Sequence, residues 1–278
     1  MIQSPVASVA RSAWRRQGTD DGERLVPEET AVAFTYNGGT YAVMMATPQN
    51  LDDFAIGFSL TEGVVACPAD IKKLEIIEED IGVELRMWLD EPSARALSDR
   101  RRHMAGPTGC GLCGIESLTE AVRVSPRVRG GLTFTPADIM HALDALGSQQ
   151  ELNRQTRAMH GAAFWKRGEG LVALREDVGR HNALDKLAGY LACNDIPGHS
   201  GMALLTSRVS VEMVQKAAVI GMPLLVAVSA PTALAVRTAE QAGITLVAVA
   251  RNDGFEIFSH PHRVATEAPA HVAAFSNA

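Results

Sequence analysis

Cys110 and Cys113, in the run Cys110-Gly111-Leu112-Cys113-Gly114, are the residues of this 278-residue sequence whose type and spacing are best suited to chemistry. Two thiols three apart can share a metal, close a disulfide, or act as nucleophile and resolving partner, and thiolate formation controls their reactivity. Glycines at 106, 109, 111 and 114 let the backbone approach a large ligand and let the loop move. The upstream run Arg100-Arg101-Arg102-His103 lowers a nearby thiol pKa and attracts phosphate if the fold brings it close; on its own it reads as a basic helix end facing water. Structural zinc needs four ligands, normally including a second close pair. Cys67 and Cys193 stand singly in apolar surroundings, where a cysteine reads as a small buried hydrophobe. Spacing alone leaves thiol chemistry, zinc and a structural pair all open.

A second constellation runs from Glu176 and Asp177 through Arg180, His181 and Asp185 to Lys186. The spacing predicts a helix capped by Asp177, with positions 177, 181 and 185 on one face, so that His181 lies between two carboxylates that favour its protonated form. A hydrated polar face is the plain alternative. A third group, Thr206-Ser207-Arg208-Val209-Ser210, follows an apolar run and opens a helix, where an α/β sheet offers backbone N–H groups to an anion and Arg208 adds a bidentate contact. No complete Walker or dinucleotide fingerprint accompanies it. Arg251-Asn252-Asp253-Gly254 follows a later apolar run and reads as an ordinary turn or as a further contact to the same ligand. His160, before a predicted strand, reads as a core histidine.

The elements that must position these groups follow from composition and periodicity. With 46% hydrophobic and 21% charged residues the chain is of ordinary globular make-up, which excludes disorder, collagen-like repeats and a disulfide scaffold. A formal net charge of −6 argues against a dedicated nucleic-acid binder. The uncharged stretch 217–236 is punctuated by Gly221-Met222-Pro223 and Ser229-Ala230-Pro231-Thr232, which argues against a membrane span, and the N-terminal run has no apolar signal core. A cytoplasmic, reducing compartment is the expectation.

Residues 1–24 are polar and aperiodic and read as a flexible terminus. Residues 30–36 and 40–46 flank Asn37-Gly38-Gly39 and predict a hairpin. Thr47-Pro48 predicts an N-cap and first helical position for a helix running to Gly63. Residues 71–78 and 83–89 predict a second strand pair, and 92–102 a short helix, completing an α+β unit over 25–103. The Gly-rich segment 104–116 reads as a mobile loop. Beyond it, Thr135-Pro136 caps a helix, two strands flank Arg167-Gly168-Glu169-Gly170, and helices alternate with apolar runs at 203–206, 224–228 and 245–250. That alternation predicts a largely parallel sheet covered on both faces, an α/β domain over 117–265 with a tail at 266–278.

Over roughly 28–263 the sequence resembles the formate dehydrogenase accessory sulfurtransferases, the FdhD/NarQ family. The resemblance rests on Thr47-Pro48 with residues 54–58 and Glu62-Gly63, on 110–114, on 176–186, on 206–210 with 212–216, and on Ala230-Pro231-Thr232. It implies a cytidine-deaminase-like C-terminal domain and a homodimer. It implies a sulfurtransferase that accepts persulfide sulfur from a cysteine desulfurase and passes it to the bis-molybdopterin guanine dinucleotide form of the molybdenum cofactor, before that cofactor enters formate dehydrogenase. Cys110 then corresponds to the persulfide-bearing residue and Cys113 to its partner. Residues Val249, Ala250, Arg251, Asn252, Asp253 and Gly254 correspond to the cofactor-binding segment, to which Ser207, Arg208, Arg180 and His181 would add phosphate contacts; a guanine nucleotide such as GDP would mimic the ligand. A non-catalytic cofactor-binding chaperone and a zinc-stabilised binding module are the competing readings. Deamination is excluded, because no histidine supplies the H-x-E motif that zinc deaminases require.

Overall fold

The computed structural model describes residues 3–103 and 125–266. Among them, the N-terminal sheet has the order β4-β3-β6-β5, built from β3 (Thr30–Tyr36), β4 (Gly39–Ala46), β5 (Ile71–Glu79) and β6 (Gly82–Leu89). Period-two alternation sends Val83, Leu85, Met87 and Leu89 to one face with Val32, Phe34 and Tyr36. Helix α1 (Leu51–Thr61) covers that face with Leu51, Phe54, Ala55 and Phe58, spaced to form a single helical stripe. Phe34 stacks on Phe58 with ring centroids 4.0 Å apart and meets Phe54 edge-on at 4.9 Å. Helix α2 (Glu91–His103) follows.

The larger sheet has the order β12-β11-β10-β9-β7-β8. Its strands are β7 (His160–Lys166), β8 (Gly170–Asp177), β9 (Met202–Leu205), β10 (Leu224–Ala227), β11 (Thr245–Arg251) and β12 (Gly254–Ser259). The expected largely parallel sheet is mixed: β9, β10 and β11 run parallel, whereas β7, β8 and β12 join through antiparallel pairings. The apolar runs of β9 and β10 are buried on both faces, which periodicity reports, but hairpin partners at the two margins reverse direction in ways that only turn chemistry controls. Ala203, Leu205, Leu225, Ala227, Leu246 and Ala248 face one core with α5 (Arg180–Cys193), α6 (Val211–Val219) and α7 (Ala233–Ala242). Met202, Leu204, Leu224, Val226 and Val247 face the other, beneath α3 (Pro136–Gln149), whose Thr135–Asp138 capping box matches its sequence signal. The short helix α4 (Glu151–Thr156) follows directly.

Three local expectations are corrected. Residues 6–24, within the stretch read as a flexible terminus, form together with 25–27 an antiparallel hairpin of β1 (Val6–Arg15) and β2 (Gly18–Pro27); its residues are mostly exposed, so no apolar stripe marked it in the sequence. Thr47 does not cap α1, whose N-cap is Asn50 in the left-handed region; the Thr47 hydroxyl instead accepts from the Val178 N–H at 3.1 Å. Cys67 and Cys193 are exposed rather than buried, and the Cys67 thiol donates to Asp70 across a short turn.

The two sheet units meet where α1 crosses α5. A Cβ on Gly57 would overlap the Asp185 carbonyl oxygen, and one on Gly189 would overlap that of Asp53, so only glycine permits this approach. Arg175 on β8 pairs with Asp53 on α1 at 2.7 Å and lies over the Tyr190 ring. Lys216 on α6 reaches Glu62 at 2.8 Å, Thr61 at 3.0 Å and Asp185, which also accepts from Thr61 at 2.6 Å.

Candidate functional site

Strand direction gathers the flagged residues at one edge of the large sheet. The carboxyl ends of β8, β9, β10 and β11 lie there, and the antiparallel strands β7 and β12 begin there. The edge therefore brings together His160, residues 176–181, 206–210, 229–232 and 249–254, the position at which an open α/β sheet binds ligands. Thr206 ties its neighbours by accepting from the Gly161 N–H at 2.8 Å, and residues 209 and 231 form an isolated parallel bridge.

Helix α5 begins at this edge with Gly179 as its N-cap, and no side chain caps it. Its first-turn amides and the positive end of its dipole are thus left to water or an anion. The geometry of Asp177 differs from expectation. It ends β8, outside the helix, and both its oxygens are engaged: Oδ1 accepts from the Gly179 N–H (2.7 Å) and Asn182 Nδ2 (2.9 Å), Oδ2 from Lys186 Nζ (2.6 Å) and the Thr47 N–H (3.1 Å). Asp185 is likewise committed to Lys216 and Thr61. His181 therefore does not lie between two free carboxylates. Burial, then the charges of Arg180 and Lys216, push its pKa down to about 4, against weaker opposition from Glu212 and Glu62, so its neutral form prevails. His160 is half-buried and held below the ordinary histidine value by burial and Arg180, with Asp177 opposing.

Several buried nitrogens at or beside this edge have no hydrogen-bond partner: Arg180 Nε, His181 Nε2 and Gln150 Nε2. Gln150, between α3 and α4, packs so closely beneath Gly161 that a Cβ there would stand 2.8 Å from its amide nitrogen. Buried polar atoms without partners are rare in folded proteins and mark places completed by something else. The remaining sequence candidates line the same edge. Ser207 is buried with its hydroxyl on the Arg208 carbonyl oxygen, while Arg208 is exposed. Val249 holds φ +52°, a strained conformation for a β-branched residue, at a register break between β11 and β12. Ala250 is buried in the core and offers the edge only its backbone; Arg251, Asn252 and Asp253 form an exposed turn closed by Gly254 at φ +146°. Cys110, Cys113 and the surrounding Gly-rich run lie outside the described residues, as do the side chains of Arg100 to His103.

Comparison with known proteins decides the lineage. The model of the FdhD/NarQ family matches residues 27–265. The chain belongs to this family. It is 53% identical over 264 residues to the sulfur carrier protein FdhD of Agrobacterium fabrum, covering 95% of this chain and 97% of that protein. The sulfur carrier protein FdhD of Brucella abortus is 52% identical over 91% of this chain and 94% of its own length. A crystal structure from Desulfotalea psychrophila, described as a candidate formate dehydrogenase accessory protein, superposes with a TM-score of 0.74 at 25% identity, covering 93% of this chain and 99% of that one. The chain shares with that structure a mixed α/β fold with several sheets.

Sequence reasoning missed Gln150, the bonding of Asp177 to Lys186 and Thr47, and the strain at Val249. Gly57 and Gly189 carried a usable signal: glycine inside an otherwise regular helix costs about 1 kcal/mol relative to alanine, so its presence points to a close approach.

Proposed function

We propose that this protein is a sulfur carrier acting for formate dehydrogenase, and more specifically a sulfurtransferase for the molybdenum cofactor. The observation that carries the cofactor reading is the sheet edge itself, where an uncapped helix N-terminus, the unpartnered nitrogens of Arg180 and His181, and exposed Arg208 and Arg251 offer donors for a phosphate-rich dinucleotide. The cofactor is cargo: its guanine dinucleotide arms supply phosphates to the edge, and its molybdenum favours a soft sulfur ligand. In this reading Ser207 and residues 249–254 complete the cradle through backbone and turn groups, within a cytidine-deaminase-like C-terminal layer.

The sulfur step falls to Cys110. Its thiolate attacks the terminal sulfur of a cysteine desulfurase persulfide, the desulfurase thiolate leaves, and Cys110 carries the persulfide. Attack of the Cys113 thiolate on the Cys110 sulfur then expels sulfide and leaves a Cys110–Cys113 disulfide, which an external thiol reduces. The protein works as a homodimer in the cytoplasm in this account; among the described residues, no helix is long and apolar enough to cross a membrane.

Intact mass spectrometry after incubation with a cysteine desulfurase and cysteine tests the carrier role. A reductant-labile gain of one sulfur, lost in Cys110→Ala and longer-lived in Cys113→Ala, supports it. No gain with an active desulfurase moves the protein to the class of cofactor-binding chaperones, and equal persulfide lifetimes with and without Cys113 remove the resolving role.

A further inference from the structure

We propose that Asp177 and Lys186 are positioning residues of the edge site and that Thr47, from the N-terminal sheet unit, is the third member of the device. Both charged side chains are fully buried, and Nζ stands 2.6 Å from Oδ2. Lys186 also donates to the Thr47 carbonyl oxygen at 2.8 Å, and the Thr47 N–H donates to Asp177, so the pair grips both sides of one residue in the neighbouring unit. The other Asp177 oxygen holds Gly179 N–H and the Asn182 amide, the two residues that bracket Arg180 and His181; Asn182 Nδ2 donates in addition to the Met45 carbonyl oxygen, at the end of β4. The Thr47 hydroxyl takes the Val178 N–H. Asp177 and Val178 at the end of β8, and Asn182 and Lys186 in α5, are therefore pinned to residues 45–47 of the other unit.

The consequence is directional. A helix N-terminus with no side-chain cap is free to fray, and ligand donors on a fraying turn are not held in place for a ligand. Here the first turn is fixed from below by a carboxylate whose own charge is neutralised by Lys186, so the anchor does not oppose an anion arriving at Arg180 and the first-turn amides. A carboxylate at that point without its lysine would repel the same anion. The pair therefore does two things at once: it orients Arg180 and His181, and it cancels the field of the group that orients them. It also makes the site geometry depend on where the N-terminal unit sits, since Thr47 contributes through its backbone and its hydroxyl.

This inference rests on the reading of the edge as a site for a nucleotide phosphate, and the test separates the two. The variants are Asp177→Asn with Lys186→Met, which removes both buried charges together, and Thr47→Val, which deletes only the hydroxyl contact and leaves the pair intact. GDP affinity is measured by calorimetry, and the titration of His181 by proton NMR in the absence of nucleotide, where Arg180, Lys216, Glu212 and Glu62 are the charged groups that set its midpoint. The expected result is a folded double variant that binds GDP roughly tenfold more weakly, with the His181 midpoint moved up toward the ordinary value, and a smaller change of the same sign in Thr47→Val. Unchanged affinity and an unchanged His181 midpoint in either folded variant overturn the positioning role. If the unaltered protein fails to bind GDP, the nucleotide reading falls, and the His181 titration alone decides whether the pair orients the turn.

Discussion

The crossing of α1 with α5 and the edge of the large sheet lie at opposite ends of the same few residues, yet they treat buried polarity in opposite ways. At the crossing the buried charges among the described residues are met: Lys216 has three acceptors and Arg175 has Asp53, and the Lys186–Asp177 pair with the Thr47 carbonyl joins this saturated region to the edge. At the edge, Arg180 Nε and His181 Nε2 are buried and met by nothing. Both regions draw on the run from Glu176 to Lys186: Asp185 and Lys186 lie toward the crossing, Arg180 and His181 at the edge. Saturation marks the part that holds the molecule together, and orphaned polar atoms mark the part that waits for a ligand.

Breaking the saturated region carries the largest expected effect. Lys216→Met leaves Asp185 and Glu62 facing each other without a cation, and should lower stability by about 4 kcal/mol in urea unfolding. Against the burial that disfavours its charge, Asp185 and Glu62 hold Lys216 above the ordinary lysine pKa, which is the sense expected of a group the fold needs charged. Gly57→Ala, which forces the helices apart at the Asp185 carbonyl, should cost on the order of 3 kcal/mol by the same measurement. A loss below about 1 kcal/mol in either variant removes the claim that this crossing is closely locked.

The edge should respond in the reverse manner. Arg208→Ala, at an exposed position, should leave the unfolding midpoint in place and weaken GDP binding by about tenfold, the loss of one charge-assisted contact. The pH response of His181 is a further test. Its folded pKa of about 4 lies below the unfolded value near 6.5, so the unfolded chain takes up the proton first. Stability contributed by the neutral ring is present above about pH 6.5 and is lost as pH falls toward 4. The thermal midpoint should therefore fall more between these values in the parent protein than in His181→Gln; parallel curves contradict the buried, neutral assignment.

The sequence carried the elements well where burial writes a period. The strands at 30–36 and 71–79, the Thr135 capping box and the doubly buried β9 and β10 were all legible because apolar spacing and turn residues agree there. It misled where a side chain serves a distant segment. Thr47 before Pro48 has the form of an N-cap, but its hydroxyl serves residue 178, more than a hundred positions away. Spacing of four placed Asp177, His181 and Asp185 on one helical face, whereas α5 begins only at Arg180 and Asp177 belongs to the strand before it. The antiparallel pairing of β7 with β9 was equally invisible, since β7 carries the same apolar residues whichever way it runs.

Hydrogen exchange monitored by mass spectrometry, with and without saturating GDP, tests the contrast between the two regions most directly. The account predicts that protection appears in peptides covering 179–182, 206–210 and 249–254, while the already slow peptides of α1 and the middle of α5 do not change. Protection confined to the α1–α5 crossing, or none at the edge with nucleotide demonstrably bound, would contradict the assignment of the ligand to the orphaned polar atoms.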